Sequence, residues 1–244
     1  MKTEVKKDVF EFKQFSINQD QCGMKVCTDG VLLGAWANLD NKLTALDIGT
    51  GTGIIAIMLG QRGTELTNIT GVEIDEASFY QAKENINLAP WREKLSVVHQ
   101  SIQDFASEVN DKFDLIISNP PFFTGGTLSE SQAKNNVRHT VKLPHSDLLR
   151  SVKNVLSKEG HFSLILPDLE GYRFIEMAEQ YGFYLNAVTA VKPTDQKPAE
   201  RLLLDFVIHP VKNVVKEQLT IRSSSTGAYT KEYRELVKDF YLNI

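Results

Sequence analysis

Asp47, Gly49, Gly51 and Gly53 form a D-x-G-x-G-x-G run directly after the apolar segment Leu43–Ile48 and before a helix-forming stretch. Glycines are needed where a chain turns sharply from strand to helix and its backbone must come close to a ligand. A dinucleotide site prefers G-x-G-x-x-G, with phosphates on the helix N-terminus. Here the spacing is shorter and an acid precedes it, which repels a pyrophosphate and suits an ammonium. S-adenosylmethionine carries an ammonium and a sulfonium and has no phosphate, so Asp47, Gly49, Thr50, Gly51 and Gly53 are candidate contacts to that cofactor. Glu73 and Ile74 end the next strand-like run, where a carboxylate can accept from both ribose hydroxyls; Gln103 and Asp104 come after the third, within reach of an adenine amino group. Either acid also reads as a helix cap or a solvated turn residue, and Asp75 reads as the cap of the helix beginning at Glu76.

The second constellation is Asn119-Pro120-Pro121-Phe122. The residue before a proline is pushed toward extended geometry, and a second proline stiffens the chain beyond the first. Such a corner presents the Asn119 side-chain carbonyl and the Pro120 backbone carbonyl together. An adenine amino group is planar because its lone pair is delocalised into the ring. Two acceptors on its N–H bonds favour the pyramidal form and free the lone pair for attack on a methyl group. Phe122 offers a face on which an unstacked base can rest. Without the other motifs, N-P also marks an ordinary strand-ending turn.

Strand-like and helix-like stretches alternate to position these residues. The strand candidates are 43–48, 69–74, 95–99, 113–118 and 161–166, and then 184–191 and 202–209. Several are near-continuous apolar runs, the pattern of parallel strands covered on both faces. Between them lie predicted helices at 53–62, 76–88 and 145–157, with a helix at 30–38 before the first strand and one at 231–241 closing the chain. The alternation implies a doubly wound α/β sheet of Rossmann type. The organisation expected is an N-terminal segment, 1–40, covering the cofactor site, and one domain, 41–244.

Composition sets the limits. Hydrophobic residues make up 42% and charged residues 24% of 244, which suffices for one sizeable core. The formal charge is −4, so an RNA partner cannot be held by overall charge and needs local basic patches. Candidates are Lys134, Arg138, His139 and Lys142 in the long connection 124–143, Lys192, Lys197 and Arg201 around the loop after the sixth strand, and Lys2, Lys6, Lys7 and Lys13 near the start. Each group also reads as a solvated face. Cys22 and Cys27 lack a second pair and the five histidines are scattered, so no metal site is expected. No apolar run approaches a signal peptide or a membrane span, and a cytoplasmic monomer is the expectation.

These motifs resemble those of class I methyltransferases acting on planar nitrogens. Phe12-Lys13-Gln14-Phe15, the run Gly23–Trp36, Asn119–Phe123 and Val137-Arg138-His139-Thr140 narrow the resemblance to the bacterial tRNA(Val) N6-adenosine methyltransferase family, across nearly the whole chain. The resemblance implies methyl transfer to the adenosine immediately 3′ of the anticodon, position 37, and a seven-stranded sheet with an antiparallel last strand. It also implies a contact from Thr28 to the methionine carboxylate, where Thr28-Asp29 reads equally as a helix cap. The run Ala133–Arg138 departs from the Gln-Ala-Arg-His-Thr pattern of the family. Rival acceptors are a protein glutamine amide, and adenine N6 of rRNA or DNA. A glutamine-modifying enzyme would typically carry Tyr at Phe122 and a helical N-terminal domain longer than the segment present here. A non-catalytic RNA-binding module is the alternative from outside enzymology.

Overall fold

The computed structural model describes residues 8–121 and 143–244. An antiparallel hairpin, β1 (Val9–Glu11) and β2 (Ser16–Asn18), leads into helix α1 (Thr28–Trp36). Next come β3 (Thr44–Ile48), α2 (Ile54–Arg62), β4 (Asn68–Glu73), α3 (Glu76–Leu88), β5 (Leu95–His99), α4 (Ile102–Glu108) and β6 (Phe113–Ser118). After residue 143 lie α5 (His145–Val155), β7 (Leu156–Pro167), α6 (Asp168–Gln180), β8 (Tyr184–Thr194), β9 (Arg201–Val207), β10 (Val215–Arg222) and α7 (Lys231–Val237).

The main sheet has eight strands in the order β10-β8-β9-β7-β6-β3-β4-β5. All pairings are parallel except those of β9, which is antiparallel to β7 and β8. Successive strand residues feed opposite cores. Ala45, Leu115, Ile117 and Leu203 join one cluster, beneath α1, α2, α3 and α7. Leu46, Ile116, Leu202 and Leu204 join the other, beneath α4, α5 and α6. Every one of these eight side chains is fully buried, which is why the strands read as apolar runs.

The expected α/β class holds, but the sheet is eight-stranded rather than seven, so the antiparallel strand, β9, is the seventh and not the last. The additional strand, β10, lies parallel to β8 at the edge. Its sequence, VKEQLTIR, exposes its first four residues and buries only Leu219, so it lacks an apolar signal. Two helices end earlier than the sequence pattern suggests. Helix α5 stops at Val155 because Leu156 already opens β7, and α7 ends at Val237. Helix α1 begins at Thr28 and ends at Trp36; its cap is Cys27, not Thr28-Asp29, and no side chain caps it.

Candidate active site

The sheet register places the two motifs side by side. Ile48 of β3 pairs with Ser118 of β6 and with Val72 of β4. The next residue on each strand is Gly49, Asn119 and Glu73. All three therefore leave the sheet at one level, on adjacent strands spaced ~4.8 Å apart. Ser118 Oγ donates to the Ile48 carbonyl at 2.9 Å, locking the first two exits together. This is the point where the strand order reverses direction, the position at which open α/β sheets bind ligands.

The glycine loop turns through three left-handed residues, Gly49 (φ 69°), Gly51 (φ 56°) and Gly53 (φ 81°). A Cβ added at Gly49 would meet nothing within 4 Å, so backbone here faces open space. Behind the loop, Thr50 packs so tightly on Gly71 that a Cβ there would sit 2.9 Å from the threonine methyl. Glu73 is 8% exposed. Its Oε2 accepts from Gly51 N and its Oε1 from Ile74 N and Asp75 N, all at 2.9 Å. The carboxylate thus ties the glycine loop to the β4 exit. As expected, Asp75 caps α3 by accepting from Ser78 N at 2.9 Å.

A cavity of about 660 Å³ opens above these exits, within the ordinary range for a small-molecule site. Gly49, Gly51, Glu73, Ile74, Gln103, Asn119, Pro120 and Pro121 line it, joining eight residues of the two motifs and the strand ends. Asp47, Thr50 and Gly53 do not line it. Asp47 is fully buried beneath the loop, with Oδ2 accepting from Thr50 Oγ1 at 2.6 Å. Burial raises its pKa to about 7, against the pull of the Thr50 hydroxyl and the Ala56 backbone N–H. Through Oδ2 it braces the loop from beneath, while its other oxygen, Oδ1, is buried with no hydrogen-bond partner among the described residues. Asp104 also stands outside the cavity wall. Ser101 accepts from Asp104 N at 3.0 Å and donates to Asp104 Oδ2 at 2.6 Å, so the acid closes the helix cap of α4 and Gln103 takes the wall position. Thr28 is exposed on α1 and does not line the cavity.

Asn119 is oriented by the helix that precedes the sheet. Its Nδ2 donates to Cys27 Sγ at 3.8 Å, and Gly30 lies close enough that its Cβ would stand 4.0 Å from the same nitrogen. The amide oxygen Oδ1 is buried and has no hydrogen-bond partner among the described residues. Leaving a buried acceptor unpaired costs ~1–3 kcal/mol, so this carbonyl is an acceptor held ready for a donor. Phe122, Lys134, Arg138, His139 and Lys142, like Lys2, Lys6 and Lys7, lie outside the described residues.

The N-terminal segment was expected over the cofactor site, but its individual wall residues were not named from the sequence. Gln21, Cys22, Gly23 and Met24 close the cavity from the N-terminal side. Asn85 of α3 holds that segment in place. It accepts from Asn18 N at 2.9 Å and donates to the carbonyls of Asn18 at 2.9 Å and Thr52 at 2.8 Å. Gln81 adds a bond from Gln21 N at 2.9 Å. Both side chains are essentially buried, and a buried amide pair on an otherwise amphipathic helix was the available signal.

The rim of the sheet also sorts the basic residues. Lys192 and the exposed Lys197 stand at the C-terminal end of β8, which runs in the direction of β6 and β7 and so ends on the cavity side. Arg201 is committed differently. Its Nε donates to Asp29 Oδ2 at 2.8 Å, pinning the start of α1 to β9 beside the Cys27–Asn119 contact.

A glycine loop, a ribose-level carboxylate and a proline-braced amide around one cavity define an S-adenosylmethionine-dependent class I methyltransferase. Solved structures agree at the level of fold. A predicted O-methyltransferase from Agrobacterium tumefaciens superposes with a TM-score of 0.64 at 15% identity, covering 87% of this chain and 96% of that one. A putative class I S-adenosylmethionine-dependent methyltransferase from Listeria monocytogenes gives 0.55 at 15% identity, covering 86% and 67%. The profile of the methyltransferase small domain matches residues 31–190, and the chain belongs to that family. Among curated relatives, the tRNA1(Val) (adenine(37)-N6)-methyltransferases of Photorhabdus laumondii and Histophilus somni (strain 2336) are 40% and 42% identical over 238 residues; 98% of this chain is covered, with 97% and 99% of theirs. That of Pseudoalteromonas translucida is 43% identical over 235 residues, 96% of this chain and 99% of its own.

Proposed function

We propose that this protein transfers a methyl group from S-adenosylmethionine to N6 of adenosine 37 in tRNA1(Val). The observation that carries this reading is the buried Oδ1 of Asn119 at the cavity wall, unpartnered among the described residues, in a chain some 40% identical to tRNA1(Val) (adenine(37)-N6)-methyltransferases over 238 residues. The residues present fit the cofactor: the glycine backbone is open at Gly49, and Glu73 and Gln103 line the same cavity, where they would meet its ribose and its adenine. When bound, the cofactor supplies an electrophilic methyl on a sulfonium.

The chain's own residues do the rest. Cys27 engages Nδ2 of Asn119, which fixes the amide orientation and directs Oδ1 toward an incoming N–H. The Pro120 backbone carbonyl is the second acceptor, and Phe122 the stacking surface. With both N–H bonds engaged, the nitrogen lone pair would be freed from the ring system for attack on the methyl group that the cofactor supplies. No strong base is needed, because the methylated nitrogen is acidic and its proton passes to water. Lys192 and Lys197 contribute to the RNA face, and the reaction belongs in the cytoplasm, with tRNA as partner. Labelled-methyl transfer to a tRNA1(Val) transcript tests the assignment. Wild-type protein should label it and leave a transcript with guanosine at position 37 unlabelled; equal labelling of both would overturn the site of modification.

A further inference from the structure

The edge strand that sequence reasoning missed carries a second feature of the catalytic rim. Arg222 ends β10 in register with Thr194 of β8, two residues beyond Lys192. It is the first residue of a closed turn. Arg222 bridges to Tyr229, Ser223 N donates to Ala228 O at 2.9 Å, and Gly227, at φ 69°, donates to Ser223 O at 2.8 Å. Ser224 N donates to Asp195 Oδ1 at 2.7 Å, tying this turn to the loop after β8. Two loops of the substrate-facing rim are therefore one rigid unit.

Within that unit the Arg222 guanidinium carbon lies 3.8 Å from the centroid of the Tyr229 ring, and Nη1 donates to Gly227 O at 2.8 Å. Tyr229 stacks in turn on Tyr233 at 5.0 Å and 27°, and Tyr233 is buried in the core. Arg222 remains exposed and forms no ion pair among the described residues. A planar cation backed by an aromatic ring has lost its rotamer freedom before any ligand arrives. One contact of the guanidinium is the Tyr229 ring, and the residue is otherwise exposed. Proteins that take unpaired bases use guanidinium planes and aromatic faces in this way.

We propose that Arg222, held on Tyr229, receives a nucleobase of the RNA substrate outside the reacting nucleotide. The inference rests on the RNA reading of the function. Four strand spacings separate β10 from β6, which puts Arg222 about 19 Å from the Asn119 corner along the rim. That distance is too great for the target adenosine and suits another exposed nucleotide of the same RNA. Stacking, rather than charge alone, is the function, because a phosphate contact needs no ring behind the cation.

The experiment compares Arg222→Ala and Arg222→Lys with wild type, measuring tRNA binding and steady-state methylation of the tRNA1(Val) transcript. Both variants should weaken RNA binding and raise the RNA KM about tenfold, the effect of one lost base stack. Affinity for S-adenosylhomocysteine and kcat should be unchanged, and Arg222→Lys should leave the salt dependence of binding as it was. Tyr229→Leu should act in the same direction. Wild-type RNA affinity in Arg222→Lys would overturn the stacking role, since only a charge contact survives that change. Wild-type affinity in both variants would remove Arg222 from the RNA face. Should wild-type protein bind tRNA without methylating it, the functional assignment fails, while the binding comparison still decides the role of Arg222.

Discussion

Replacing Asp47 with Asn should stabilise the cofactor-free protein in a pH-dependent way. Asp47 is fully buried, accepts one hydroxyl, and has its pKa lifted by burial from 3.8 to about 7. An acid whose folded pKa lies above its unfolded value binds a proton more tightly in the native state. Its presence favours folding at low pH, and that advantage is lost as pH rises from the unfolded value through 7. The full span is about three units, or ~4 kcal/mol. Between pH 5.5 and 8.5 the change is about 2 kcal/mol, since it accrues only below about pH 7. Asn keeps the shape and can still accept from Thr50, but cannot ionise. Thermal denaturation of both proteins at intervals across this range should show the Tm advantage of Asp47→Asn widening by about 5 °C and then levelling off above about pH 7.5. A Tm difference independent of pH would mean that Asp47 does not change ionisation there, and its bracing role under the glycine loop would lose its electrostatic basis.

Other substitutions test other parts of the site. Glu73→Gln removes the charge that gathers three backbone N–H groups and faces the cavity, so affinity for S-adenosylhomocysteine should fall about 10–100-fold by calorimetry. Asn85→Ala breaks three buried bonds to the N-terminal segment and the glycine loop; chemical denaturation should report a loss of ~2–4 kcal/mol, and limited proteolysis should cut near residue 21 sooner. Charge reversal at Lys192 and Lys197 should weaken tRNA binding and flatten its salt dependence, with cofactor affinity intact. Unchanged affinity and slope would move the RNA face elsewhere.

The turn geometry of the candidate site was legible because it depends on local backbone. Gly49, Gly51 and Gly53 all take positive φ, and the strands that carry them are uninterrupted apolar runs. The features that escaped depend on which way a side chain turns, or on partners far away in the chain. Asp47 reads as a cofactor contact because spacing cannot reveal whether a carboxylate points into the cavity or under the loop. Asp104 reads as one too, since a cap-closing acid and a ligand-binding acid occupy the same position after a strand. Arg201 reads as free for RNA, and its partner Asp29 is 172 residues away in the chain. Strand β10 is hidden because an edge strand with four exposed residues carries no burial pattern. The hairpin before α1 is likewise invisible, as three-residue strands are too short for periodicity.

The Asn119 carbonyl is the point on which the catalytic account turns, and Asn119→Ala measures it most directly. With tRNA1(Val) transcript and saturating cofactor, kcat should fall about 10²–10³-fold, the usual consequence of deleting one group aimed at a transition state. Affinity for S-adenosylhomocysteine should stay within about twofold, since the contacts proposed for the cofactor are mainly the loop and Glu73. A variant that turns over near the wild-type rate would contradict the account.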